Sequence, residues 1–95
     1  MSSPSFQTTF DAFLPTLNQR APKTAETYRL GLEAFKTFAQ ARGYWELPVS
    51  SLPVTLLAEF YRWLAEHYDN TFTVKTYMAA ANAILRHLTR QQLLP

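Results

Sequence analysis

The chain has 95 residues, 47% of them apolar and 15% aromatic, with a net charge of +2, which suits one domain around one hydrophobic core and is too apolar for a disordered chain. No apolar run approaches the ~20 residues of a membrane span, and Met1-Ser-Ser-Pro-Ser5 lacks the basic-then-apolar order of a secretory signal. Cysteine is absent, which excludes disulfides and thiolate metal sites and fits a soluble, cytoplasmic protein.

The first predicted helix covers roughly Ser5 to Asn18, with Phe6, Phe10, Phe13, Leu14 and Leu17 on one face. Pro15 lies inside it and should kink or divide it, because proline has no N–H for the carbonyl a turn earlier. The second helix begins at Pro22, with Ala21 or a neighbour as its cap. Tyr28, Leu32, Phe35 and Phe38–Ala39 form its buried stripe, and Gly43 suits a left-handed C-terminal cap. A loop with Leu47-Pro48 and Ser50-Ser51 follows. The third helix is expected from near Pro53 to about Tyr68, with Leu57, Phe60, Tyr61 and Leu64 inward and Trp63 at an edge. After a turn at Asp69-Asn70, the fourth runs from Thr71–Thr73 to about Arg90, with Val74, Tyr77, Ala81, Ile84, Leu85 and Leu88 inward. Long helices joined by short loops, with no strand pattern, imply an all-α bundle.

Two helix starts carry the same letters. Thr24-Ala-Glu-Thr27-Tyr28 recurs 49 residues later as Thr73-Val-Lys-Thr76-Tyr77, and the same alignment matches Ala34 with Ala83 and Phe35 with Ile84. The echo suggests two pseudo-symmetric helical hairpins, helices one and two, then three and four. Convergence at capping and core positions would give the same letters. Each start also sets hydroxyls and a lysine, Lys23 or Lys75, around a helix N-terminus, where unpaired N–H groups attract phosphate oxygens.

Catalytic and cofactor patterns are missing. His67 and His87 fall on different helices, and no Asp/Glu/His set has metal-ligand spacing. The two glycines, Gly31 and Gly43, cannot write a phosphate loop. No catalytic residue, cofactor or metal is therefore assigned. Charge distribution says more: residues 71–95 hold Lys75, Arg86 and Arg90 with no acid. Lys75, Ala79, Asn82, Arg86 and Arg90 form one stripe opposite the apolar face of helix four. Its cations suit phosphates and Asn82 suits base edges, though a solvated face on an amphipathic helix has the same pattern. Near the start of helix two stand Arg20, Lys23, Thr24 and Thr27, interrupted by Glu26. Tyr28 and Tyr77 read mainly as core.

The run Ala21-Pro-Lys-Thr-Ala-Glu-Thr-Tyr28-Arg-Leu-Gly-Leu32-Glu-Ala-Phe35-Lys-Thr-Phe38 resembles the second helix of the core-binding domain of tyrosine recombinases, the phage integrases. Thr73-Val-Lys-Thr-Tyr77-Met-Ala-Ala-Ala-Asn82-Ala-Ile-Leu-Arg86-His-Leu resembles the fourth helix of that SAM-like (sterile alpha motif-like) N-terminal domain. The similarity covers about residues 6–95, and Gln91-Gln-Leu-Leu-Pro95 resembles the point where that domain hands over to a catalytic one. The resemblance implies an orthogonal four-helix bundle of two hairpins, a single core-binding domain over 1–95, with the catalytic domain and its arginine-histidine-arginine-tyrosine set elsewhere. It also implies DNA integration and recombination as the setting.

Carried onto this chain, the implied DNA-binding positions are Lys23, Thr24 and Thr27 on helix two, and Lys75, Thr76, Asn82 and Arg86, with Arg90 beyond, on helix four. The implied partners are double-stranded DNA and the other recombinase subunits of a full-length parent, with no membrane; the isolated domain is expected to be a monomer. Few cations, and Glu26 within the contact turn, predict weak and salt-sensitive binding. The central expectation is that the leading ends of helices two and four stand side by side as one cationic, hydroxyl-bearing dock. The rival is a helical protein-interaction module anchored by exposed aromatics such as Tyr44, Trp45, Trp63 or Tyr68.

Overall fold

The computed structural model describes residues 4–91. Four helices, α1 (Phe6–Phe13), α2 (Pro22–Arg42), α3 (Leu56–His67) and α4 (Thr71–Arg90), form an all-α bundle. Short 3-10 segments at Leu14–Gln19 and Val49–Ser51 join them. Among the described residues the only strand-like pairing is an isolated bridge between Ser5 and Pro48.

Pro15 divides the first predicted helix, as its chemistry requires. The α-helix closes at Phe13, and the chain continues as the 3-10 segment until the Arg20 N–H bonds the Leu17 carbonyl at 3.0 Å. The other end of α1 is tied down. The Ser5 hydroxyl accepts from the Thr8 amide at 3.1 Å, while Phe6 and Gln7 donate their N–H groups to Leu47 and Trp45 carbonyls at 2.8 and 2.9 Å. Three orphan donors of the first turn thus find partners, two of them on the loop between α2 and α3.

Pro22 opens α2 with Ala21 as its cap residue, and Gly43 closes it in the left-handed region at φ 77°. Helix α3 starts at Leu56, later than expected, because Pro53–Thr55 forms a turn in which the Leu56 N–H reaches the Pro53 carbonyl. Its buried face is Leu56, Phe60 and Leu64, whereas Tyr61 is 54% exposed. Tyr61 was expected inward; it lies one residue past Phe60, about 100° round the helix.

The core is aromatic. Phe6, Phe35, Phe38 and Phe60 are fully buried, with Phe35 and Phe60 ring centroids 4.7 Å apart and Phe6 edge-on to Phe35 at 5.5 Å. Leu17, Leu32, Leu64, Ile84 and Leu88 complete it.

Helices α2 and α4 pack closely at Gly31. A Cβ placed there would lie 2.8 Å from the Ala80 Cβ and 3.1 Å from the Tyr77 Cα, so the approach needs glycine. Gly31 and Ala80 are themselves 49 residues apart, so positions related by the sequence echo meet at this crossing. The same step relates two further hydrogen bonds, from Thr27 Oγ1 to the Lys23 carbonyl at 3.0 Å and from Thr76 Oγ1 to the Phe72 carbonyl at 2.8 Å. The 49-residue echo thus has one direct meeting point in the fold, at Gly31 and Ala80.

Candidate nucleic-acid interface

Helices α2 and α4 pass each other in opposite directions. Glu33 acts on Tyr77, Gly31 meets Ala80, and Arg20 and Tyr28 share a hollow with Asn82, Arg86 and Arg90. Partner numbers rise along α4 as they fall along α2. The two leading ends therefore lie on opposite sides of the crossing, each about 14 Å from it at 1.5 Å per residue. The expected shared dock of both helix starts is overturned. The start of α2 faces the second half of α4 instead.

The hollow at that junction holds about 660 Å³. Its walls are Phe13 from the end of α1, Thr16, Gln19 and Arg20 from the turn after it, Tyr28 from α2, and Ala79, Asn82, Ala83, Arg86, His87 and Arg90 from α4. Three arginines line it and no carboxylate does. The Arg20 guanidinium sits 4.7 Å above the Tyr28 ring, a cation–π contact that holds this cation at the rim. The His87 ring packs 5.2 Å from Phe13, placing an imidazole on the same wall. A second hollow, about 250 Å³, is lined by Lys23, Thr24, Thr27 and Tyr28, so Tyr28 is the partition between the two.

Of the residues expected from sequence, Lys23, Thr24, Thr27, Asn82, Arg86 and Arg90 are thus gathered around Tyr28. Lys75 and Thr76 are not. They lie beyond the Gly31–Ala80 crossing, on the first turns of α4. The hydroxyls also differ from expectation. Thr27 and Thr76 spend their single protons on carbonyls one turn back, leaving only lone pairs to offer. Neither copy uses threonine as its cap residue: Ala21 caps α2 without a side-chain bond, and Asn70 caps α4 by accepting from Phe72 and Thr73 amides. The uncapped start of α2 lies beside Lys23.

Arg20, Gln19, Thr16 and His87 were not selected from sequence. Arg20 was noticed as a neighbouring cation, but only the fold brings it opposite Arg86 and Arg90. Tyr28, half-buried and partitioning the hollows, is more than core. Tyr77, its echo, lies edge-on to Tyr68 at 5.4 Å, and burial, then the Tyr68 and Glu33 charges, push its hydroxyl above the ordinary tyrosine pKa.

Anchors for the rival interface are mostly engaged. Trp45 is buried between Phe6 and Phe10, and Tyr44 donates to Glu59 Oε1 at 2.8 Å. Trp63 stacks with His67 at 4.2 Å, and Tyr68 meets Tyr77 edge-on. The exposed aromatics are instead Phe72 at 76% and Tyr61. Among the described residues no group of three or more His, Asp or Glu side chains is placed to hold a metal, and no helix is long and apolar enough to cross a membrane.

Comparison with known families gives a match to the phage integrase N-terminal SAM-like domain over residues 8–92. The chain belongs to that family. The integrase SAM-like domain is a non-catalytic part of its enzymes. Its setting is that of the tyrosine recombinases. No curated protein and no solved structure is significantly similar to this integrase domain.

Proposed function

We propose that this chain binds double-stranded DNA and, as the N-terminal part of a tyrosine recombinase, holds the recombination site for a separate catalytic domain. One observation carries the reading: Arg20, Arg86 and Arg90 converge on one hollow without a carboxylate, and Lys23 lies across Tyr28 from them. Like charges gathered without an acid repel one another, and a polyanion relieves that repulsion. The backbone of a duplex supplies regularly spaced phosphates to the rim, while helix α4 presents its outer strip to a groove. In this reading 1–95 is one core-binding domain. The isolated domain is a monomer, acts in the cytoplasm, and meets other recombinase subunits in its parent.

Fluorescence anisotropy of a labelled duplex across a salt series tests it. With Arg20, Arg86, Arg90 and Lys23 on phosphates, log affinity should fall with log salt at a slope of about −3 to −4. Amide shifts on DNA titration should appear at the start of α2 and along the second half of α4. Shifts confined to α1 and α3, or binding indifferent to salt, would defeat the proposal.

A further inference from the structure

Within the arginine-lined hollow, the long cationic side chains and the short ones occupy different places on α4. Arg86 and Arg90 hold its C-terminal end, while Ala79, Asn82 and Ala83 line the part before them. Asn82 is half-buried, and its amide makes no hydrogen bond to the described residues. A short, unpartnered amide between two methyl groups allows a surface to come close, with longer cations left to reach for phosphates farther out. Its echo position is Glu33, so the second copy carries a neutral donor–acceptor where the first carries a charge.

We infer that Asn82 reads an adenine through the major groove, an inference that rests on the DNA-binding reading above. A carboxamide presents one acceptor and two donors side by side. In the major groove, adenine alone offers a matching adjacent pair, the N7 acceptor and the N6 donor. Guanine shows two acceptors there and cytosine a donor alone, so either would leave half of the amide unpaired. Ala79 and Ala83 keep the approach free of bulk, and Arg20 on the facing wall fixes the register through a phosphate.

Selection of bound duplexes from a randomised pool tests this, followed by anisotropy on the best duplex and on versions with each adenine replaced. The proteins compared are the wild-type chain, Asn82→Ala and Lys23→Ala, with circular dichroism to confirm that each is helical. The wild type should enrich adenine at a position whose replacement costs roughly tenfold in affinity. Asn82→Ala should lose that discrimination and keep the others. Lys23→Ala should weaken all duplexes alike and retain the adenine preference. A wild type that binds duplexes without preferring adenine, or an Asn82→Ala chain that still prefers it, overturns the inference while leaving DNA binding intact. A wild type that binds no duplex at low salt defeats the DNA-binding reading itself, and this inference with it.

Discussion

A methyl group on Gly31 would stand 2.8 Å from the Cβ of Ala80, its echo in the second hairpin. Both atoms are at the roots of their side chains, so neither can swing away and the helices themselves must part. Gly31→Ala gains about 1 kcal/mol in helix propensity but costs about 1–3 kcal/mol in overpacking. We expect net destabilisation of about 1 kcal/mol, lowering Tm by roughly 4–8 °C for a domain of this size. Adding Ala80→Gly should recover part of that loss, although Tyr77 Cα still crowds the site. Thermal melts of the single and double variants check it; an additive double variant would mean the two positions are not in contact.

Arg86 and Lys75 share one stripe of α4 but lie on opposite sides of its crossing with α2. Arg86→Ala should therefore weaken duplex binding and reduce the salt slope by about 1, as loss of one phosphate contact does. Lys75→Ala should leave both nearly unchanged. Anisotropy at three or more salt concentrations measures the two variants, and equal losses would return the DNA surface to the whole stripe.

Thr27 was expected to offer its hydroxyl to a phosphate, yet its proton goes to the Lys23 carbonyl. Thr27→Val keeps the shape and discards only that bond. DNA affinity should stay within about twofold of wild type, because neutral hydroxyl hydrogen bonds contribute about 1 kcal/mol only where they are made. A tenfold loss in the same anisotropy assay would show that the hydroxyl turns outward in the complex.

Glu59 accepts hydrogen bonds from Thr55 Oγ1 at 2.7 Å and Tyr44 at 2.8 Å, linking the start of α3 to the end of α2. The Thr55 bond first, then the Tyr44 bond, hold its carboxyl below the ordinary glutamate pKa. A lowered acid stabilises the fold above its unfolded pKa of about 4.3 and stops doing so as pH falls through the folded value. The Tyr44 hydroxyl, raised chiefly by the same hydrogen bond, contributes below about pH 10 and fades as pH climbs past its folded value. The stability gap between wild type and Glu59→Gln should thus be level near neutral pH and narrow in acid. Melts between pH 2.5 and 7 would reveal it; a gap that widens in acid would contradict the sign.

Much of this architecture was legible because it is local. Pro15, Pro22 and Gly43 act on their own turns, and a proline or a left-handed glycine does so whatever packs on it. Hydrophobic spacing likewise placed α4 between Thr71 and Arg90. The start of α3 was misjudged because the turn at Pro53–Thr55 satisfies its own hydrogen bonds without helix. The direction of α2 against α4 was not legible as expected. Two similar helix starts suggest neighbours, yet antiparallel packing of α2 and α4 sends them apart. Six of the eight expected site residues nevertheless come together, because antiparallel packing sets the start of α2 against the end of α4. Arg20 escaped selection since nothing in its own segment says which helix it faces.

The two tryptophans sit at opposite ends of one chain of ring contacts through Phe6, Phe35 and Phe60. Trp45 is enclosed by Phe6 and Phe10 under the Lys36 ammonium, at the seam where the opening helix is stitched to the interhelical loop. Trp63 lies against Phe38 and Phe60 with an imidazole stacked on its outer side. Each indole is thereby a built-in optical gauge. Emission from the first reddens if the leading segment peels away, and emission from the second reddens if α3 parts from Phe38, so partial opening can be watched without adding a label.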